Sequence, residues 1–256
     1  MEIFGYSERG IINSLFYEII SSQNNLQLFN EFLNLFSFPY DKINFHISDV
    51  KILIEQSFSD FGDADVVLLI HNHRYMHVVF IEGKVKTFQK SYWSIFEEFN
   101  EFEKGIDEDR MNSSNLFVQL YYKLRLFKEL QIGNIKQLQN GVQFPKGFSK
   151  INRKIGNNKV VLRAVNQLKD YCQDAFFIAL VPENISNLQN FYQNILKNYN
   201  ANKLKDWNIK NWGYITWEKV EDFCDKYYLK RTLKNFEFNQ GQIYNKDIPP
   251  NKEDFF

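Results

Sequence analysis

The chain has few cysteines and no long hydrophobic run. Its 256 residues include 2 cysteines, 5 prolines and 11 glycines. Cys172 and Cys224 are too few thiols for a disulfide framework or a four-thiolate zinc site. The longest apolar runs, residues 66–70 and 175–181, are far shorter than the roughly 20 residues that a helix needs to cross a bilayer. These absences argue against a disulfide-stapled secreted domain and against a membrane-spanning helix.

The amino terminus also lacks a basic segment followed by an apolar stretch, so the sequence predicts no secretion signal. Hydrophobic residues make up 44% and charged residues 24% of the chain, a composition typical of an ordinary folded protein. We therefore expect a soluble, cytoplasmic protein without a membrane partner. We predict one domain over residues 1–235 and a loose C-terminal tail over residues 236–256.

The charge of the chain is zero in sum but unevenly distributed. Residues 1–119 carry 9 Lys and Arg against 18 Asp and Glu, whereas residues 120–256 carry 22 against 13. Residues 130–169 contain cations and no acidic residue. The candidate nucleic-acid contacts in this region are Lys146, Lys150, Arg153, Lys154, Lys159 and Arg163. Clustered cations gain affinity for phosphates by releasing counterions, although a solvated basic face accounts for the pattern equally well.

Periodicity predicts alternating helices and strands. The predicted helices are 7–20, 26–36, 112–130, 159–171, 186–199 and 217–228. The predicted strands are 64–70, 77–88, 175–181 and 213–216, and one of the extended segments 43–48 and 50–56 is expected to be another. This order predicts an α/β fold in which helices flank a mixed β-sheet, with additional α/β elements near the C-terminus.

Charged residues interrupt two of the predicted strands. Asp65 opens the first, and Glu82 and Lys84 lie two residues apart in the second, so both point to the same face of the sheet. A polar turn centred between His73 and Arg74 would join the strands as a hairpin and place residue 65 opposite residue 82. A strand centre is a costly place for charge unless a ligand compensates the desolvation. A divalent cation held by Asp65 and Glu82 would do so.

This pattern resembles the catalytic core of the PD-(D/E)XK nucleases, which have the restriction-endonuclease-like fold. Asp65 and the segment Glu82-Gly83-Lys84 correspond to the last elements of that motif, with Ala64 where the family often has proline. The resemblance extends to the order of elements: an N-terminal helix carrying Glu8, the hairpin, a helix containing Gln119 and the strand 175–181. Relative to the minimal core, residues 131–174 would be a basic insertion.

The resemblance implies an endonuclease that uses Mg²⁺, or Mn²⁺ as a substitute, to hydrolyse phosphodiester bonds by a metal-activated water. Asp65 and Glu82 would bind the metal, Lys84 would assist the attacking water, and Glu8 would complete or organise the site. DNA is the expected substrate, RNA stays open, and many such nucleases act as homodimers.

Several alternatives remain open on the sequence alone. Asp65 would otherwise cap a turn while Glu82 and Lys84 form a surface ion pair, and Asp63 is a rival for the role of Asp65. His71 and His73 are interpreted as polar turn residues, and His77, which could approach the metal from the hairpin, as a satisfied or solvated histidine rather than a metal ligand. An inactive nuclease-fold subunit that binds nucleic acid or serves as a scaffold is the alternative function, and an unrelated α/β protein is a third.

Overall fold

The computed structural model describes residues 3–40, 45, 47–86, 92–133, 135–199 and 204–244. The strands are β1 (Asp49–Ser57), β2 (Asp63–His71), β3 (Met76–Gly83), β4 (Val142–Gln143), β5 (Asn152–Arg153), β6 (Asp174–Val181) and β7 (Trp212–Thr216). The helices are α1 (Ser7–Ser21), α2 (Asn25–Leu33), α3 (Ile95–Asp107), α4 (Leu116–Gln131), α5 (Ile135–Asn140), α6 (Lys159–Asp170), α7 (Ile185–Asn190), α8 (Trp217–Lys226) and α9 (Lys230–Ile243).

Five strands form one mixed sheet in the order β1-β2-β3-β6-β7. Strand β2 is antiparallel to both of its neighbours, β1 and β3, and β6 and β7 run parallel to β3. The small β4–β5 hairpin forms a separate two-stranded sheet. The predicted α/β class, with helices flanking a mixed sheet, is confirmed.

The β2–β3 hairpin has the predicted register. Val66 pairs with Ile81 and Ile70 with His77, so extending the ladder places Asp65 opposite Glu82. Both strands are continuous runs of buried apolar residues, as expected for strands covered on both faces.

The two faces of the sheet support separate hydrophobic cores. Val66 and Leu68 face a core built with α1, α2, α8 and α9. Val67 and Leu69 face a core built with α3 to α7, in which α4 is almost entirely buried. Because neighbouring residues of a strand alternate between faces, each central strand contributes to both cores.

The loose tail predicted for residues 236–256 includes the second half of a helix. Residues 230–243 form α9, which packs along α1 and buries Phe236 and Ile243 completely. Phe236 and Ile243 are seven residues apart, a helical spacing that the polar residues between them obscured. Residues 245–256 lie outside the described part of the chain.

Other predicted elements differ in detail. Helix α3 was not predicted, and the predicted helix 186–199 consists of α7, a π-turn over Phe191–Ile195 and a 3₁₀ turn over Leu196–Asn198. The segment 43–48 and the end of the predicted strand 77–88 lie partly outside the described residues. Within the described ranges, no helix is both long enough and apolar enough to cross a membrane.

Candidate active site

The predicted site residues meet where β2 begins and β3 ends. Asp65 Oδ2 accepts a hydrogen bond from the backbone N–H of Gly83 at 2.7 Å, which joins the two strands just beyond their last ladder pair. The charges of Glu82, Glu8 and Lys84 all act on the Asp65 carboxyl. The structure therefore brings Glu8, Asp65, Glu82 and Lys84 together at one end of the hairpin.

Glycine at position 83 allows Glu8 to approach the hairpin. A Cβ atom there would lie 3.3 Å from Glu8 Cβ and Cγ and 3.4 Å from Asp65 Oδ2. Glu8 is the second residue of α1, so the start of that helix covers the end of β3. The Ser7 hydroxyl donates a hydrogen bond to the Glu8 carboxylate.

The Asp65 carboxyl has an unusual affinity for protons. Burial is the largest cause and, with the negative charges of Glu82 and Glu8, raises its pKa from 3.8 to about 7. The Gly83 N–H and the Lys84 ammonium oppose this shift but do not cancel it. Asp65 therefore lies in an environment with excess negative charge, which a bound cation would relieve.

Glu82 is buried beside a lysine that the sequence analysis did not single out. The Lys123 ammonium lies 3.0 Å from Glu82 Oε1, and the two side chains are 0% and 1% exposed. Lys123 also donates hydrogen bonds to the backbone carbonyls of Asp63, at 2.8 Å, and Phe61, at 3.2 Å. Among the described residues, the Lys123 ammonium is the group that faces Oε1, and no other N–H or O–H group forms a hydrogen bond to this oxygen.

Lys84 is held by α4 and by the turn that precedes it. Its ammonium donates to the backbone carbonyl of Ser114 at 2.6 Å and to Gln119 Oε1. Its own backbone carbonyl accepts a hydrogen bond from Trp217 Nε1 at 2.8 Å. Gln119 and Lys123 are four residues apart on α4, so one helix face supplies the partners of both Lys84 and Glu82. In the sequence, this spacing of four residues from Gln119 was the signal that could have identified Lys123 as a site residue.

The alternative readings of these charges fit the structure less well. Glu82 is buried and pairs with Lys123, so Glu82 and Lys84 do not form an exposed ion pair on the surface. The Asp63 residue is exposed, and its contact with Lys123 is made by its backbone carbonyl. His71 closes the far end of β2, about 20 Å from Asp65 at the rise of an extended strand.

His77 is also remote from the site, because it lies near the start of β3, whereas Glu82 lies near its end. Its ring stacks on Tyr75 and meets the edge of Phe176. Burial lowers the pKa of His77.

Two of the carboxylates suit a divalent cation. Asp65 and Glu82 supply hard oxygen donors, and a metal ion at Glu82 would share Oε1 with the Lys123 ammonium, which already lies 3.0 Å from it. Within the described part of the chain, no three His, Cys, Asp or Glu side chains are grouped closely enough to hold a metal ion. A Mg²⁺ ion at this place would have Asp65 and Glu82 as its two carboxylate ligands, and water and substrate phosphate would complete its coordination.

Five of the six predicted nucleic-acid contacts are exposed: Lys146, Lys150, Lys154, Lys159 and Arg163. Lys150 pairs with Asp60 at 2.6 Å, and the Lys154 N–H donates to the same carboxylate at 3.0 Å. Asp60 lies in the short 3₁₀ turn that precedes β2. Lys150 and Lys154 thus adjoin the segment that leads to Asp65.

The prediction for Arg153 is wrong. Its side chain is buried, and its guanidinium lies 3.8 Å from the centre of the Tyr122 ring and donates to Tyr122 Oη at 2.6 Å. It also donates to the backbone carbonyl of Asp60. Because these groups occupy it inside the protein, Arg153 attaches β5 to the core and does not face a phosphate.

Comparison with known proteins identifies no relative of this chain. No protein-family model matches the chain, and neither a curated protein nor a solved structure matches it.

Proposed function

We propose that the protein is a metal-dependent nuclease that hydrolyses phosphodiester bonds, with DNA as its expected substrate. The observation that carries this proposal is the convergence of Asp65, Glu82 and Lys84 at the end of the β2–β3 hairpin, beside Glu8. Charged side chains often lie near one another on a protein surface by chance. Burying two carboxylates at one place without full neutralisation, in contrast, costs desolvation free energy. A ligand of positive charge compensates that cost.

The fold supports the same proposal. The resemblance to the PD-(D/E)XK nucleases implies a helix carrying Glu8, a hairpin, a helix containing Gln119 and a following strand. Helix α1, the β2–β3 hairpin, α4 and β6 occur in this order, and α1 and α4 lie on opposite faces of the sheet. The restriction-endonuclease-like core is thus part of the proposal, as is the role of residues 131–174 as an insertion.

Each side chain has a chemical role in this proposal. Asp65 and Glu82 would hold a Mg²⁺ ion, which would supply Lewis acidity at the scissile phosphate. Lys84, oriented by Ser114 and Gln119, directs a water molecule toward phosphorus and offsets the developing negative charge. The water oxygen would form the new P–O bond and release a proton to solvent, the bond to the leaving oxygen would break, and that oxygen would take up a proton from solvent. Glu8 organises the acidic side of the site.

The exposed lysines near Asp60 supply the expected backbone contacts. Lys154 and Lys150 lie beside the turn that precedes β2, and Lys159 and Arg163 follow on the exposed face of α6. These groups bind phosphate independently of base sequence.

The test is cleavage of supercoiled plasmid, single-stranded DNA and RNA with Mg²⁺, Mn²⁺ or EDTA. We expect metal-dependent cutting by the wild-type protein and its loss in Glu82→Ala and Lys84→Ala. Glu101→Ala and Lys104→Ala change exposed residues of α3 and serve as matched controls. Cutting that survives both site substitutions would refute the assignment. Light scattering of the active species tests for a homodimer, which the resemblance permits.

A second candidate function rests on a specific observation. Lys123 lies against the Glu82 carboxylate, and the described residues contain no group of three metal-ligating side chains. Both features favour a nuclease-fold subunit that binds nucleic acid without cutting it. Binding in a gel-shift assay, with no cleavage of any substrate under any metal, would select this alternative.

A further inference from the structure

Two buried asparagines of α9 bind the segment that precedes α1. Asn235 Oδ1 accepts a hydrogen bond from the Gly5 N–H, and Asn239 Oδ1 accepts one from the Ser7 N–H, both at 2.7 Å. Asn239 Nδ2 donates to the Gly5 carbonyl at 2.9 Å. Both side chains are 3% exposed. Two successive turns of α9 therefore hold the backbone of residues 5–7 through side-chain amides.

The segment that they hold is tightly bent. Ser7 has φ of +64°, in the left-handed region that residues other than glycine rarely adopt. Gly5 and Gly10 approach so closely that a Cβ on Gly5 would lie 2.4 Å from Gly10 Cα. Such a backbone persists only when its surroundings fix it, and the asparagine hydrogen bonds do so.

This bend ends immediately before Glu8. The Glu8 side chain lies over Gly83 and within electrostatic reach of Asp65. A change in the path of residues 5–7 would therefore move the Glu8 carboxylate relative to the site. Asn235 and Asn239 touch none of the proposed metal ligands in the contacts described above, so any effect that they have on the site must pass through this segment.

We infer that Asn235 and Asn239 are positioning residues that place Glu8 beside the Asp65–Glu82 site and thereby set its affinity for a divalent cation. This inference rests on the proposed function, because it assigns the cation to that site. It gives α9 a role in the active site in addition to its role in the core.

Helix α9 also offers a matched control at its other end. The Glu18 carboxylate accepts hydrogen bonds from the N–H groups of Arg231, at 3.1 Å, and Thr232, at 2.8 Å. Glu18 is ten residues beyond Glu8 on α1, or about 15 Å along the helix axis. Glu18→Gln weakens the packing of α9 on α1 without touching residues 5–7.

The experiment is Mn²⁺ titration of the purified full-length protein by calorimetry, with thermal melting of each variant. We expect Asn239→Ala to weaken Mn²⁺ binding about fivefold to tenfold and Glu8→Ala to weaken it at least as much. Glu18→Gln is expected to lower the melting temperature with Mn²⁺ affinity unchanged. In the Glu8→Ala background, Asn239→Ala should have no further effect on Mn²⁺ affinity, because the group that it positions is gone.

Two results would overturn the inference while leaving the proposed nuclease intact. One is unchanged Mn²⁺ affinity in Asn239→Ala. The other is that Asn239→Ala lowers Mn²⁺ affinity by the same factor in the Glu8→Ala background as it does in the wild-type protein. A wild-type protein that binds no Mn²⁺ and cuts no substrate refutes the proposed function and the inference with it. If Asn239→Ala does not fold, Asn235→Ala removes the hydrogen bond to the Gly5 N–H together with the bond from Asn235 Nδ2 to the Arg231 carbonyl, and it is judged by the same criteria. Cleavage at varied Mg²⁺ adds a second readout, in which the half-saturating Mg²⁺ concentration should rise.

Discussion

The ammonium of Lys123 lies 3.0 Å from the carboxylate of Glu82, and solvent reaches neither side chain. The pair connects α4 to β3. Through the Asp63 and Phe61 carbonyls, Lys123 also contacts the chain entering β2. One buried cation thus fixes the relative positions of the two strands that carry Asp65 and Glu82.

We expect Lys123→Met to lower the free energy of unfolding by about 3–5 kcal/mol, because it leaves the Glu82 carboxylate buried without its counter-ion. Urea denaturation at neutral pH in EDTA measures this loss. Adding Glu82→Gln to Lys123→Met removes the unpaired charge and should recover a large part of the stability. A double variant as unstable as Lys123→Met alone would show that the ion pair is not the cause.

Asp65 should make the stability of the metal-free protein depend on pH. Its pKa is raised to about 7 in the folded state, so protonation of this group favours folding. That contribution is complete below the ordinary carboxyl pKa of 3.8, falls progressively as the pH rises from there, and is gone above about pH 7.

Asp65→Asn, which cannot ionise, should therefore be more stable than wild type above pH 7 by about 2–4 kcal/mol, and the difference should shrink toward pH 5. Denaturation in EDTA at pH 5, 6, 7 and 8 measures it. Asp63→Asn changes an exposed carboxylate on the same strand and should show no such trend. A difference between Asp65→Asn and wild type that is independent of pH would contradict the raised pKa.

Gln119→Ala should lower the cleavage rate by disturbing the orientation of Lys84, without changing the affinity for metal. It removes the amide oxygen that accepts a hydrogen bond from the Lys84 ammonium. Loss of one such bond corresponds to about 1.4 kcal/mol, so we expect a roughly tenfold lower cleavage rate. Mn²⁺ affinity should stay unchanged, because Gln119 contacts no proposed ligand. Gln167→Ala, an exposed glutamine on α6, is the control; a parallel loss of metal affinity would refute the separation.

The adjacent residues Arg153 and Lys154 should respond differently to substitution. Lys154 is exposed, and Lys154→Ala should weaken DNA binding and reduce the slope of log K against log salt by about 0.9 for one lost phosphate contact. Arg153→Met should lower the melting temperature and leave that slope unchanged, because the guanidinium is bound to Tyr122. Fluorescence anisotropy over a range of NaCl concentrations distinguishes them. A fall in slope for Arg153→Met would show that this side chain reaches phosphate.

The hairpin and its register were predictable because local rules determine them. Two apolar runs flank a short polar turn, and the two-residue period of a strand fixes which side chains share a face. Knowing the turn centre was therefore enough to place Asp65 opposite Glu82. Glu8 followed from the resemblance and not from any local pattern.

The residues that sequence analysis missed depend on tertiary contacts. Lys123 looks like a solvated lysine on an amphipathic helix, since lysines are rarely buried without a partner, and Glu82 is a partner 41 residues away in sequence. Arg153 was predicted to be an exposed cation, because the composition of the basic stretch does not reveal that aromatic rings surround its guanidinium. Asn235 and Asn239 made α9 look too polar for the core, although their amides bind the backbone of residues 5–7.

The contacts between α9 and residues 5–7 span 230 to 234 positions of the chain. During synthesis the first residues leave the ribosome long before α9 exists, so Glu8 has no fixed place until nearly the whole described chain has been translated. Pairings of such long range also form late in folding, because loop closure must precede them. A nascent or truncated chain therefore lacks the complete site, and an enzyme able to cut nucleic acid would mature only after its own translation had passed α9.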